Sequence, residues 1–166
     1  EPVECELPAG GREGDASAFA QLVTHWEPAI RGFVHLVLAG YGDVDRVVSA
    51  TFVRAYRALP RYRGDHPPGL WLHRLAFVLS MDQLRRIARD PRMRGGRKRA
   101  EQLDRPELLE DIGGPFPAGW RAIDADQRAL LAMSDHGGYG PEAVAAVLDT
   151  PRSVVLGRVG AARRAL

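Results

Sequence analysis

The sequence predicts an all-α protein of two small helical modules joined by a flexible linker. Three observations carry this. Apolar residues recur at the helical period over most of the chain. No run alternates apolar and polar residues over the length of a strand. Residues 90–118 break the pattern, with four Pro, four Gly, many charges and little periodicity. The expected boundaries are 15–90 for the first module, 91–119 for the linker and 120–166 for the second module.

Each element has its own signals. Asp15 is placed to cap a first helix whose apolar positions run from Phe19 through Trp26 and Phe33 to Leu38. Pro28 is expected to kink or split it, and Gly40-Tyr-Gly42 to end it. Asp43 caps a second helix with the stripe Val44, Val47, Val48, Thr51, Phe52, Ala55 and Leu59, and Pro60 stops it. Arg61 to Gly69 reads as a loop, followed by a third helix from Leu70 to Leu84. A short helix at Pro106 to Asp111 fits within the linker. Ile123 to Met133 is expected as one helix and His136 to Gly140 as a turn. A helix follows at Pro141 to Leu148, then a tight turn at Asp149-Thr-Pro151 and a last helix from Arg152 to Leu166. Two helices joined by so short a turn are the outline of a helix-turn-helix.

Composition narrows the functions. The chain of 166 residues is 45% hydrophobic and 27% charged, a globular profile in which each half is expected to bury its own modest core. Net charge is only +2, but Arg85 to Arg99 holds eight basic residues and one acid, enough to neutralise phosphates locally. Cys5 is alone, so an internal disulfide is impossible, as in proteins of a reducing cytoplasm. The five histidines lack metal-ligand spacing, and no apolar run approaches the roughly 20 residues that cross a bilayer. Residues 1–14 do not read as a signal peptide. An enzyme is not expected. Ser134-Asp135-His136 are neighbours in sequence and cannot converge as a triad, and the Gly pairs lack the setting and the Lys of a phosphate loop. No cofactor and no metal are implied.

The order and spacing of these segments resemble the extracytoplasmic-function sigma factors. Asp43 to Asp65 looks like that family's polymerase-binding helix running into its promoter-melting loop. Trp71 to Ala76 and Asp82 to Arg86 are similar to the helix that follows. Asp126 to Leu130 and Tyr139 to Arg158 are similar to the terminal helix-turn-helix. The resemblance implies a cytoplasmic transcription initiation factor. Its expected partners are core RNA polymerase, promoter DNA with minus-ten and minus-thirty-five elements, and an anti-sigma or other regulatory protein. It implies polymerase contact at or near Asp45, Arg46, Ser49 and Phe52, and DNA contact by Arg61, Arg63, Trp71 and Arg74 and by Arg152, Ser153, Arg158 and Arg163. The chemistry suits these roles. A melted strand needs cations for its backbone and aromatic walls for its bases, and a recognition helix reads the major groove with its first turn.

Several polar positions depart from the family pattern. Asp45-Arg46 and Ser49-Ala50 stand where an acidic pair and a Gln-Glu pair are common. Phe77-Val78 replaces Arg-Asn, and Val154 and Leu156 replace Thr and Lys. The apolar framework is kept while partner-facing groups change. The alternative reading is therefore a degenerate sigma-like module that contacts a regulatory protein instead of reading DNA.

Overall fold

The computed structural model describes residues 16–90 and 119–166. The capping role of Asp15, Cys5, the short helix at 106–111 and the linker fall outside the described residues. All regular structure among the described residues is helical. Helix α1 spans Ala16–Leu38, α2 Val44–Ala58 and α3 Pro68–Arg89, with a short 3-10 turn at Leu59–Arg61. Helix α4 spans Ala125–Leu131, α5 Pro141–Val147 and α6 Arg152–Ala165.

Local chemistry sets most boundaries. The Asp43 carboxylate accepts the Arg46 amide at 3.0 Å and starts α2. Asp124 and Gln127 form a reciprocal capping box that starts α4. Pro68 and Pro141 stand in the first turns of α3 and α5, where a missing amide costs nothing. Helix α3 therefore begins two residues earlier than expected, inside the segment read as loop. Gly42 turns the chain with a φ of +116°, and a Cβ there would lie 2.3 Å from the Gln83 amide nitrogen.

Two other expectations change. Pro28 does not split α1, which continues as one helix through it. The helix expected over 123–133 is instead α4 followed by a π-helical turn at Ala132–His136. That turn widens the helix, and the Gly137 amide closes it on the Ala132 carbonyl at 2.9 Å.

The core is shared rather than divided. Leu22, Ile30, Val34, Val37 and Leu72 of the first module belong to one buried cluster with Trp120, Leu131, Met133, Val144 and Val155 of the second. Neither half supplies enough large side chains to enclose itself, so α1 and α3 pack directly on α4, α5 and the π turn.

The end of α1 shows how the halves join. A helix leaves its last four carbonyls without intrahelical partners. Here the Ala39 amide closes on His35 and the Tyr41 amide on Leu38. The Trp120 indole Nε1 donates to the Leu36 carbonyl at 2.9 Å, and Arg128 Nε donates to Val37 at 2.9 Å. Arg121 Nε adds a bond to the next carbonyl, that of Ala39, at 3.2 Å. The second module thus caps the helix of the first.

A candidate polymerase and nucleic-acid surface

Helix α2 buries Val47, Val48, Thr51, Phe52 and Ala55. At 100° per residue, its opposite side carries Arg46, Ser49, Val53, Tyr56 and Arg57, all exposed. Val53 and Tyr56 keep 51% and 49% of their surface open, unusual for large side chains that have a core beside them. Of the residues expected at a polymerase contact, Arg46 and Ser49 lie on this outward face. Phe52 is buried and serves as its support. Asp45 lies at the margin, held by Arg31 Nη1 at 2.5 Å, while Arg31 Nε binds Glu27 at 2.6 Å. The hydrogen bond to Asp45, opposed by partial burial and helped by Glu27, raises the Arg31 pKa. This cluster ties α2 to α1. Val53 and Tyr56 were not among the residues expected on this face, although both fall outside the apolar stripe of α2, which is a legible signal.

The next face is built around one aromatic contact. Tyr62 and Trp71 stack with ring centroids 4.8 Å apart, and the Tyr62 hydroxyl donates to the His66 carbonyl. Burial pushes the Tyr62 pKa up, with the Asp65 charge adding to it. The stack pins the loop carrying Arg61 and Arg63 beside the first turns of α3. Trp71 is half-buried against the core, while Arg74 and Val78 extend an outward stripe at i+3 and i+7. The stack thus sets the backbone of Arg61 and Arg63, on either side of Tyr62, near Trp71, with Arg74 one turn further along α3.

In the second module, α5 and α6 pack through Val144, Val147, Val155 and Val159. Asp149 adopts a positive φ of +50° in the tight turn, a conformation its short polar side chain tolerates. The side of α6 facing away from this core presents Ser153, Gly157, Gly160 and Arg164. Arg152 and Arg163 lie on one flank with Leu156, and Arg158 on the other with Val154. Each of the three arginines has an acidic partner: Arg152 with Glu142 at 2.5 Å, Arg163 with Asp135 at 2.5 Å, and Arg158 with Asp126 at 3.6 Å. The three arginines expected to meet DNA thus flank an outward strip that is small at Ser153, Gly157 and Gly160 and ends in Arg164.

Among the described residues, no cluster of His, Cys, Asp and Glu is arranged to hold a metal, and no helix is long and apolar enough to cross a membrane.

Comparison with known proteins adds independent findings. Residues 22–90 match the family described as Sigma-70 region 2. The chain is 29% identical to the ECF RNA polymerase sigma-E factor of Salmonella typhimurium, the match covering 93% of this chain and 87% of that one. It is 28% identical to the RNA polymerase sigma-H factor of Pseudomonas aeruginosa over the same shares. Among solved structures it resembles CnrH in complex with the cytosolic domain of CnrY, at a TM-score of 0.65 and 28% identity, covering 91% of this chain and 86% of that one. It shares the fold of the Bartonella quintana sigma factor RpoE in complex with the anti-sigma factor NepR, at a TM-score of 0.64 and 18% identity, covering 90% of this chain and 94% of that one. The matched region runs from Leu22 in α1 through α3, the relatives cover nearly the whole chain, and on both grounds the chain is similar to the extracytoplasmic-function RNA polymerase sigma factors.

Proposed function

We propose that this chain is a sigma factor that binds core RNA polymerase through the outward face of α2 and directs it to promoters with minus-ten and minus-thirty-five elements. It acts in transcription initiation and is not itself an enzyme. The observation that carries the docking site is the exposed pair Val53 and Tyr56 beside Arg46 and Ser49, an apolar patch with a polar rim on a rigid helix. Arg61, Arg63, Trp71 and Arg74 hold the melted strand, with Tyr62 as the second aromatic. Arg152, Ser153, Arg158 and Arg163 position α6 on duplex DNA, mainly through phosphate. Such work places the protein in the cytoplasm. The first module of this reading is residues 15–90, the second 120–166. CnrH is bound to the cytosolic domain of CnrY and RpoE to the anti-sigma factor NepR. A comparable regulatory protein is a proposed partner here. Run-off transcription with core polymerase tests the whole reading: promoter-dependent product supports it, and its absence with an intact, bound factor argues against it.

The second reading, a sigma-like module that contacts a protein through α6, draws support from that helix's outward strip. Ser153, Gly157 and Gly160 offer no bidentate base contact, each worth about 1–3 kcal/mol, which leaves Arg164 as the strip's single donor of that kind. A salt titration separates the two. DNA binding through several phosphates weakens steeply as salt rises.

A further inference from the structure

Given the proposed role of α6 on duplex DNA, we infer that Asp126, Asp135 and Glu142 also belong to that interface, as acids that occupy its arginines and hold down its sequence-independent affinity for phosphate. Each acid sits on an element other than α6. Asp126 lies in the first turn of α4, Asp135 in the π-helical turn and Glu142 in the first turn of α5. Each reaches a different arginine. Glu142 meets Arg152 at 2.5 Å, Asp135 meets Arg163 at 2.5 Å, and Asp126 stands 3.6 Å from Arg158. All three α6 arginines expected to meet DNA are therefore engaged, by acids whose backbones three separate elements fix.

The pairs are suited to exchange. The three arginine side chains stay 51–59% open, so a phosphate can approach each guanidinium from solvent. Exposed ion pairs contribute little to folding, so giving them up on DNA costs the fold little. The carboxylate left behind then stands close to the phosphate that displaced it and repels it. At 3.6 Å, Arg158 is held to Asp126 by charge and not by a hydrogen bond, so that acid screens its partner without orienting it. Charge over the whole module agrees. Residues 119–166 carry six Arg against five Asp and Glu, which leaves almost no net attraction for DNA while the pairs are closed. With the phosphate grip restrained, base contacts decide where α6 settles.

Titration of the whole chain with short duplex DNA of random sequence, repeated over a range of salt, reads the restraint directly. Glu142→Gln and Asp135→Asn keep an acceptor of the same shape and remove only the charge. Each should raise affinity about three- to tenfold at low salt and steepen the salt dependence by about one phosphate contact, with the melting temperature little changed. In an Arg152→Ala background the gain from Glu142→Gln should vanish, because no guanidinium is then released. A gain that persists there would reduce the acid to general repulsion and overturn the inference. Unchanged or weaker binding in the single variants would also overturn it, weaker binding meaning that the acids position the arginines for phosphate. Either result, with DNA still bound by the wild type, leaves α6 on DNA. Failure of wild type and variants alike to bind DNA would remove that role and the restraint together.

Discussion

Arg128 donates from Nε to the Val37 carbonyl at 2.9 Å, although ninety-one residues separate them, and from Nη1 to the Ile123 carbonyl at 2.6 Å. Burial lowers its pKa, with Tyr41 and Asp124 partly opposing that effect. One guanidinium therefore ends α1 and fixes the approach to α4. Arg128→Met fills similar space but leaves two carbonyls unpaired, at a cost of about 1–3 kcal/mol. Urea denaturation should show that loss and, for the wild type, one cooperative transition spanning both modules, because the core is continuous. Two separate transitions in the wild type would contradict the shared core.

His73 makes stability depend on pH. It is buried among Trp26, Phe33 and Tyr139, and its Nδ1–H donates to the Gly69 carbonyl at 2.7 Å. Burial pushes its pKa down to about 4, with the Gly69 bond opposing. Unfolded, it takes up a proton near 6.5. Between those values only the unfolded chain gains the proton, so acidification favours unfolding. The histidine's contribution is complete above pH 6.5 and is lost as pH falls toward 4, by about 3 kcal/mol at most. His73→Phe should flatten that part of the stability profile. A profile between pH 6.5 and 5 identical in the two proteins would show that His73 does not titrate this way.

Gly69 allows the closest packing of α1 on α3. A Cβ there would lie 2.0 Å from the Trp26 ring, so the half-buried ring must shift, and with it its edge-on approach to His73. Gly69→Ala should cost about 1–3 kcal/mol by overpacking, measured as a lowered melting temperature. A variant as stable as the wild type would mean that Trp26 is not held as described.

Gly157 is the contrasting case, with open space around the position of a Cβ. Gly157→Ala should stabilise α6 by about 1 kcal/mol. Gly157→Lys should strengthen DNA binding and steepen its salt dependence by roughly one phosphate contact if this side faces DNA. Affinity for DNA unchanged by the added lysine would favour a protein partner on this face.

The elements were legible where the chemistry is local. Asp43, Pro60, Pro141 and the Asp149-Thr-Pro151 turn announce boundaries within a few residues, and the apolar stripe of α2 gives its buried side directly. The union of the modules was not legible. Trp120 and Arg128 serve carbonyls 84 and 91 residues away, and no periodicity encodes a partner at that distance. The continuous path of α1 through Pro28 was obscured for another reason: packing along the rest of the helix outweighs one lost hydrogen bond. At the candidate sites, residue types pointed to Arg61, Arg63, Trp71 and Arg74, but the Tyr62–Trp71 stack that gathers them appears only in three dimensions. The acidic partners of Arg152, Arg158 and Arg163 were equally invisible, since each lies on a different element.

The most direct test is equilibrium binding of the purified chain to core RNA polymerase from its own cell, compared with Val53→Asp and Tyr56→Asp. Val53→Asp falls on an exposed position of α2 and should leave the melting temperature nearly unaltered, while Tyr56→Asp also removes the edge-on contact of the Tyr56 ring with Phe19, centroids 5.0 Å apart, and should lower it by the loss of about 1 kcal/mol. Docking through this face predicts wild-type binding weakened about tenfold or more by either variant, a loss of at least about 1.4 kcal/mol. Binding that is equally tight in all three proteins, or absent in the wild type, would contradict it.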